Sequence, residues 1–333
     1  MLLVSEFKQG MRKASKLTPF LALLLVGAVV VSASIWLRAV ETPPWSGLHT
    51  ASLEEGAKTE LSKSPSDAAH FEAFTFLTYN VRNWLVSTQS PVKSTAAKQA
   101  VIHILVTAAP DVIGLCEIGS REDVVEIQLM LKAKGMDFPH IHYTGGTDPI
   151  RHLALLSRFP IVTTETPDPR ITGTNHTMPR GILDATARIG GRDIRFLGLH
   201  LKSKRTVPEY DEAVLRIEEA GYVRKYIDTI LEKDHNALLL AYGDLNDTTG
   251  SLSTRTICGT YHTPGYMNPI HTNDSRRESW THHYAVEDSY TRIDFVTVSQ
   301  AMKSHVKRDG SRVIDDPLSE TASDHRAVVV RFE

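Results

Sequence analysis

At 333 residues, 41% hydrophobic and 23% charged, the chain is long enough to bury one large core or two modest ones. The formal net charge is -2. Beyond the first sixteen residues 33 basic groups face 38 acidic ones, a net charge of -5, which excludes the broad basic face of a histone-like or operator-type binder and leaves room only for a local phosphate site. Two cysteines, Cys116 and Cys258, permit at most one disulfide and exclude a disulfide framework.

Residues 1–16 carry Lys8, Arg12, Lys13 and Lys16 against Glu6. The segment Leu17 to Leu37, "LTPFLALLLVGAVVVSASIWL", holds no charge and as a helix would run about 30 Å, enough to cross a bilayer. Its basic N-terminal flank keeps the N-terminus in the cytoplasm and sends the body outward. The segment reads as an uncleaved anchor, because its apolar run continues through Ile35, Trp36 and Leu37. A signal peptide cleaved after "VSA", Val31 to Ala33, is the alternative. Residues 38–70 turn to Pro, Ser, Thr, Gly, Glu and Lys, which bury too little to fold, and form a tether.

From Phe71 to Glu333 β-type runs alternate with helical patterns. In order, the pattern predicts a strand at "FTFLTYNV", a helix over 94–108, a strand at "DVIGLCEI", a helix over 121–134, and strands at "HIHYTG" and "HLALLSRFPIV". A hairpin of "ILDATARI" and "DIRFLGLHL" turns at Gly190-Gly191. A helix over 207–233 leads into "NALLLAYGD", and the chain closes with "RIDFVTVS" and "HRAVVVRF". Several strands are nearly continuous apolar runs, as in sheets covered on both faces, so the architecture is layered α/β with helices outside.

Many of these strands end in polar groups: Asn80, Glu117, His200, Asp244 with Asn246 in "YGDLND", and Asp324-His325 before "RAVVV". Alone, each has a structural explanation. Asn80 caps a turn, Glu117 pairs with Arg121, His200 is a satisfied half-buried imidazole, and Asp244 to Asp247 make a turn. Together they supply hard oxygen ligands for a divalent ion such as Mg²⁺, with two histidines suited to acid–base work on a phosphoester. Asp247 is assigned to the turn alone.

The blocks "FLTYNVRNW", "PDVIGLCEI", "LALLSRFPI", "LGLHLKSK", "YGDLND", "RIDFVTVS" and "SDHRAVVV" occur in an order that resembles the endonuclease/exonuclease/phosphatase superfamily over Phe71 to Phe332. The resemblance implies a four-layer α/β sandwich with two packed mixed β-sheets flanked by helices. It implies Glu117 as principal metal ligand, with Asn80 and Asp324 beside it, for Mg²⁺ or alternatively Mn²⁺ or Ca²⁺. Asp244 and Asn246 resemble the pair that positions attacking water and phosphate, and His325 the catalytic histidine oriented by Asp294. His200 matches the branch with a second active-site histidine, and Arg180 in "MPRGILDA" sits where that branch often contacts phosphate. Arg82 departs from apurinic endonucleases, which carry an acidic residue there, and this counts against abasic-site repair.

The expected activity is metal-dependent phosphodiester hydrolysis outside the cytoplasm, with nucleic acid favoured as substrate because "KSKR", Lys202 to Arg205, places basic groups beside the site. A solvated charge run explains that stretch equally well. A phospholipid or sugar-phosphate phosphoesterase is the enzymatic alternative, and an inactive binding domain is disfavoured because no expected catalytic position is missing. No obligate protein partner is evident.

Overall fold

The computed structural model describes residues 71–85, 92–206, 208 and 210–333. The expected cytoplasmic flank, anchor and tether at 1–70 lie outside the described residues, and among the described residues no helix is long and apolar enough to cross a membrane.

In chain order the elements are β1 (Phe74–Trp84), α1 (Thr95–Ala108), β2 (Val112–Ile118), α2 (Arg121–Lys132), β3 (His140–Thr144), β4 (His152–Ser157) and β5 (Ile161–Glu165). The hairpin arms β6 (Leu183–Ile189) and β7 (Arg192–His200) follow, then α3 (Glu212–Lys233), β8 (Leu238–Asp244) and α4 (Leu252–Cys258). The short strands β9 (Asn268–Pro269), β10 (His282–Tyr284) and β11 (Ser289–Thr291) precede β12 (Asp294–Val298), α5 (Gln300–Lys303), β13 (Val306–Val313), α6 (Ser319–Ala322) and β14 (Val328–Phe332).

Two six-stranded mixed sheets result, ordered β13-β14-β1-β2-β4-β3 and β5-β6-β7-β8-β12-β9, with β10 and β11 paired separately. β1 and β2 are parallel, as are β7 and β8. One core lies between the sheets, where Phe76 and Leu155 of the first meet Phe196, Tyr242 and Val296 of the second. A second core packs α1 and α2 on the first sheet, and a third packs α3 on the other. The order helix, sheet, sheet, helix is the expected four-layer sandwich.

Tyr242 shows how closely the sheets approach. A Cβ on Gly114 of β2 would lie 2.1 Å from the Tyr242 ring, and one on Gly198 of β7 would lie 2.9 Å from its hydroxyl. Only hydrogen at these two positions leaves room for the ring between the layers.

Four boundaries differ from expectation. "HLALLSRFPIV" is two strands in different sheets, because the Ser157 hydroxyl bonds the Phe159 backbone and Pro160 has no amide to continue a ladder. α3 begins at Glu212, where the Asp211 carboxylate accepts from the amides of Ala213 and Val214. α2 ends at Lys132. β13, largely exposed and rich in Lys, Arg, Asp, Gly and Ser, forms an edge strand that apolar alternation does not reveal.

Candidate active site

The strand ends of both sheets meet at one edge. Register places His200 beside Asp244 across the parallel β7–β8 pair and Asp294 beside Asp244 across the antiparallel β8–β12 pair. On the other sheet Asn80 and Glu117 lie on the neighbouring parallel strands β1 and β2, where the ladder shifts register after Asn80. The Asn80 amide joins the sheets, donating to Asp244 Oδ2 at 3.0 Å and toward Glu117 Oε1 at 3.4 Å.

The backbone is bent to make this meeting. Glu117 has φ +65°, Arg82 +47°, Asn83 +53° and Asn246 +51°, left-handed conformations that cost non-glycine residues about 1–3 kcal/mol each and gather at functional sites. The turn of β1 lets the Asn83 amide donate to Glu117 Oε2 at 3.0 Å, while the Arg82 amide donates to Asn80 Oδ1 at 3.0 Å. Before Asp244, Gly243 adopts φ +125°, and a Cβ there would lie 2.0 Å from the Leu199 carbonyl oxygen.

Asp294 Oδ2 lies 2.8 Å from His325 Nδ1, and His325 Nε2 lies 3.7 Å from Asp244 Oδ2. His200 Nε2 approaches the same oxygen at 3.6 Å. One buried carboxylate therefore faces two imidazoles and one carboxamide. Thr281 fixes the triad from behind, its hydroxyl accepting from the amides of Ile293 and Asp294. The Ser323 hydroxyl donates to Asn80 O and accepts from the His325 amide.

Burial alone would lower the His325 pKa, but the Asp294 and Asp244 carboxylates outweigh it and hold the ring toward the imidazolium. Burial pushes the Asp244 carboxyl up, and the neighbouring Asp294 charge adds to that. Burial, followed by the charges of Arg180 and His325, drives His200 well below the usual histidine value, so its ring is neutral. Its Nδ1 is buried without a hydrogen-bond partner.

The expected residues are not all drawn together equally. Asn80, Glu117, Asp244, Asp294, His200 and His325 form one connected set. Asp324 instead turns to Arg82 Nε at 3.3 Å. The cation beside Glu117 is Arg151, at 3.6 Å. Asn246 closes the turn, its amide donating to Asp244 Oδ1 at 2.8 Å and its side chain to Leu201 O at 2.9 Å. Arg180 is buried, with Nε donating to His200 O at 3.1 Å and another nitrogen to Leu201 O at 2.6 Å, so it holds the end of β7 at His200 and the start of the loop after it. In the basic run, Lys202 donates to the carbonyls of Ser203 and Arg205.

Asp247 is more than a turn residue. Its carboxylate receives Arg216 Nε at 3.1 Å and the Ser253 hydroxyl at 2.8 Å. Lys93, which no motif singled out, is buried and donates to the carbonyls of Val81 and Ala322, tying β1 to the end of α6 just before Asp324. The contacts with Arg216 and Ala322 leave no local signal in the sequence, because those partners are 31 and 229 residues away.

The donor chemistry fits a hard divalent cation. Asn80, Glu117 and Asp324 offer only oxygen ligands, and ligand atoms of Asp244, Asp294 and His325 lie within 4.8 Å of one another, a further acidic and imidazole group able to hold an ion. A cleft of 250 Å³ opens on Asp324 and His325, walled by Arg82, Trp280 and His283.

Fold and site together define a phosphoesterase-type α/β sandwich. The chain belongs to the Endonuclease/Exonuclease/phosphatase family, whose model matches residues 77–325; family members are phosphoesterases, typically dependent on divalent metal. Among solved structures, truncated TDP2 from Caenorhabditis elegans is similar at 19% identity and TM-score 0.54, covering 78% of this chain and 97% of that one. Sphingomyelinase C from Streptomyces griseocarneus is similar at 16% identity and TM-score 0.57, covering 78% and 99%. A family protein from Leptotrichia buccalis C-1013-b shows 19% identity and TM-score 0.56, covering 78% and 99%. These likenesses are likenesses of fold. No curated protein sequence matches the chain significantly.

Proposed function

We propose that this protein is a Mg²⁺- or Mn²⁺-dependent phosphodiesterase held outside the cytoplasm by its N-terminal segment, with nucleic acid as the favoured substrate. The observation that carries the reading is the single buried carboxylate of Asp244 set 3.6 and 3.7 Å from two imidazoles, one of them bonded to Asp294. Glu117, Asn80 and Asp324 would hold the cation, whose chemistry is to neutralise phosphate charge.

Asp244, with Asn246 closing its turn, orients the attacking water and accepts from it. Water adds to phosphorus, the bond from phosphorus to the leaving oxygen breaks, and the His325 imidazolium, kept in register by Asp294, protonates that oxygen. His200, neutral and fixed by its backbone, donates to a phosphoryl oxygen. Arg180 acts on phosphate through the loop it holds.

A phospholipid substrate is the second reading. It is favoured by the apolar segment at 17–37, which would keep the site near headgroups, and by the fold shared with a sphingomyelinase. The test is full-length protein in detergent assayed on plasmid DNA, RNA, sphingomyelin and bis-p-nitrophenyl phosphate, with and without chelator. Chelator-sensitive cleavage of nucleic acid is expected. Turnover of sphingomyelin alone selects the second reading, and turnover unaffected by chelator overturns the metal assignment.

A further inference from the structure

Five main-chain groups at the end of β7 and in the loop after it are taken by side chains or backbone from elsewhere. Arg180 holds His200 O, and Arg180 and Asn246 share Leu201 O. The Leu201 amide donates to Asp244 O. The remaining two belong to α3: Glu219 Oε2 accepts the Lys202 amide at 2.6 Å, and an Arg216 nitrogen donates to Lys202 O at 3.0 Å. Arg216 also reaches the loop after β8 through Asp247, 3.1 Å away. Arg216 is 4% exposed and Glu219 2% exposed, so both are fully committed groups on a helix whose remaining inward face is apolar.

We propose that Arg216 and Glu219 are positioning residues that lock the loop leaving β7 after His200 to the loop leaving β8 after Asp244, and so fix the distance between the His200 imidazole and the carboxylate it shares with His325. The proposal rests on the phosphodiesterase reading above. A packing role alone does not account for the arrangement. α3 already has Ala220, Val223, Ile227, Ile230 and Leu231 against the sheet, and placing a guanidinium and a carboxyl among them costs desolvation that an aliphatic pair would avoid. Each polar group instead meets a main-chain atom within two residues of His200. Arg216 is the one side chain of the clamp that touches both loops, through Lys202 O and Asp247.

The experiment measures turnover of bis-p-nitrophenyl phosphate by the full-length protein with Mg²⁺. Arg216→Met is expected to lower kcat roughly tenfold to a hundredfold, the scale of a small misplacement of a reacting group, while KM changes about threefold or less. Glu219→Leu should behave alike, and Glu219→Gln, which keeps the carbonyl acceptor for the Lys202 amide, should restore most of the loss. On a His200→Ala background Arg216→Met should add little, because residues acting through one group are non-additive. Losses that multiply across the two backgrounds overturn the clamp, as does a kcat unchanged in Arg216→Met. If Arg216→Met does not fold by circular dichroism, Asp247→Asn is read in the same cycle with the same criteria. A His200→Ala variant as active as the wild type overturns the role given to His200 in the proposed function, and is recognised by that single measurement.

Discussion

Glu117 holds a left-handed backbone conformation, of the kind that gathers at functional sites, and its carboxylate faces the Asn80 amide and accepts from the Asn83 amide. Activity is therefore expected to need added divalent metal, and Glu117→Gln to lose most of it while circular dichroism shows an intact fold; full turnover of that variant in chelator would remove the ligand assignment. The Asp294–His325 pair makes a second prediction. Asp294→Asn should keep substrate binding yet lose turnover nearly as severely as His325→Ala, on the order of the 10²–10⁴-fold of positioned acid–base groups, with the double variant little worse than either single one. Glu219 gives a third, readable in stability. Burial raises its carboxyl from 4.5 to about 7, against the opposing charges of Arg180, Lys202 and Arg216. The folded state therefore holds a proton the unfolded state has released, and stability is lost as pH rises from about 4.5 through about 7. Glu219→Gln should match the wild type near pH 4 in urea denaturation and exceed it at pH 8, by up to about 3 kcal/mol. Equal stability at both pH values would show that the carboxyl is not destabilised by burial.

Among the elements, β8 delivers the carboxylate that Asn80, His200 and His325 all face. Leu239, Leu240 and Ala241 are buried on alternating faces between the central core and α3, which leaves the strand no freedom to slide and delivers Asp244 at a set height. Slippage by one residue would exchange the faces and bury a different set. Gly243 lets the strand end against Leu199 without a clash. Gly243→Ala is expected to destabilise the fold by about 1–3 kcal/mol from backbone strain, and to lower turnover as well, because relief of the contact with Leu199 O moves Asp244 away from His200. A variant with wild-type melting temperature and kcat would mean that the close approach is unimportant.

At the scale of the whole molecule, the two sheets meet through the Tyr242 ring in the core and the Asn80 amide at the edge, so the site belongs to neither sheet alone. Catalytic competence should then track global folding rather than local unfolding, with activity and near-ultraviolet circular dichroism lost at the same urea concentration. The location proposed above is tested through the N-terminal segment. Under that proposal a reporter fused after Glu333 is expected to be active only outside the cytoplasm, the basic residues among 1–16 being those that the positive-inside rule keeps in the cytoplasm; cytoplasmic reporter activity would reverse the topology. Protein recovered free of membranes and starting near Ser34 would select the cleaved signal peptide.

Local chemistry was enough to read the layered class and the polar strand ends, because apolar runs and the blocks "GDLN", "RID" and "SDH" are written in contiguous residues. The hairpin at Gly190-Gly191 was legible for the same reason, both glycines having positive φ in the turn. What the sequence did not disclose depends on partners far apart in the chain. Asp247 looks like a turn until Arg216, 31 residues away, reaches it, and Lys93 is featureless until Ala322, 229 residues away, accepts its ammonium. Arg180 stands in a block that resembles a phosphate-contacting one, and only the fold shows that its guanidinium also donates to the carbonyls of His200 and Leu201. The break at Pro160 that sends β4 and β5 to different sheets lies inside an apolar run that reads as one strand. Composition and spacing thus determined which residue types stand at the strand ends, since those follow from local hydropathy. Only the packing of two sheets decided which of them share an oxygen of Asp244, because that distance is set by a core to which every layer contributes.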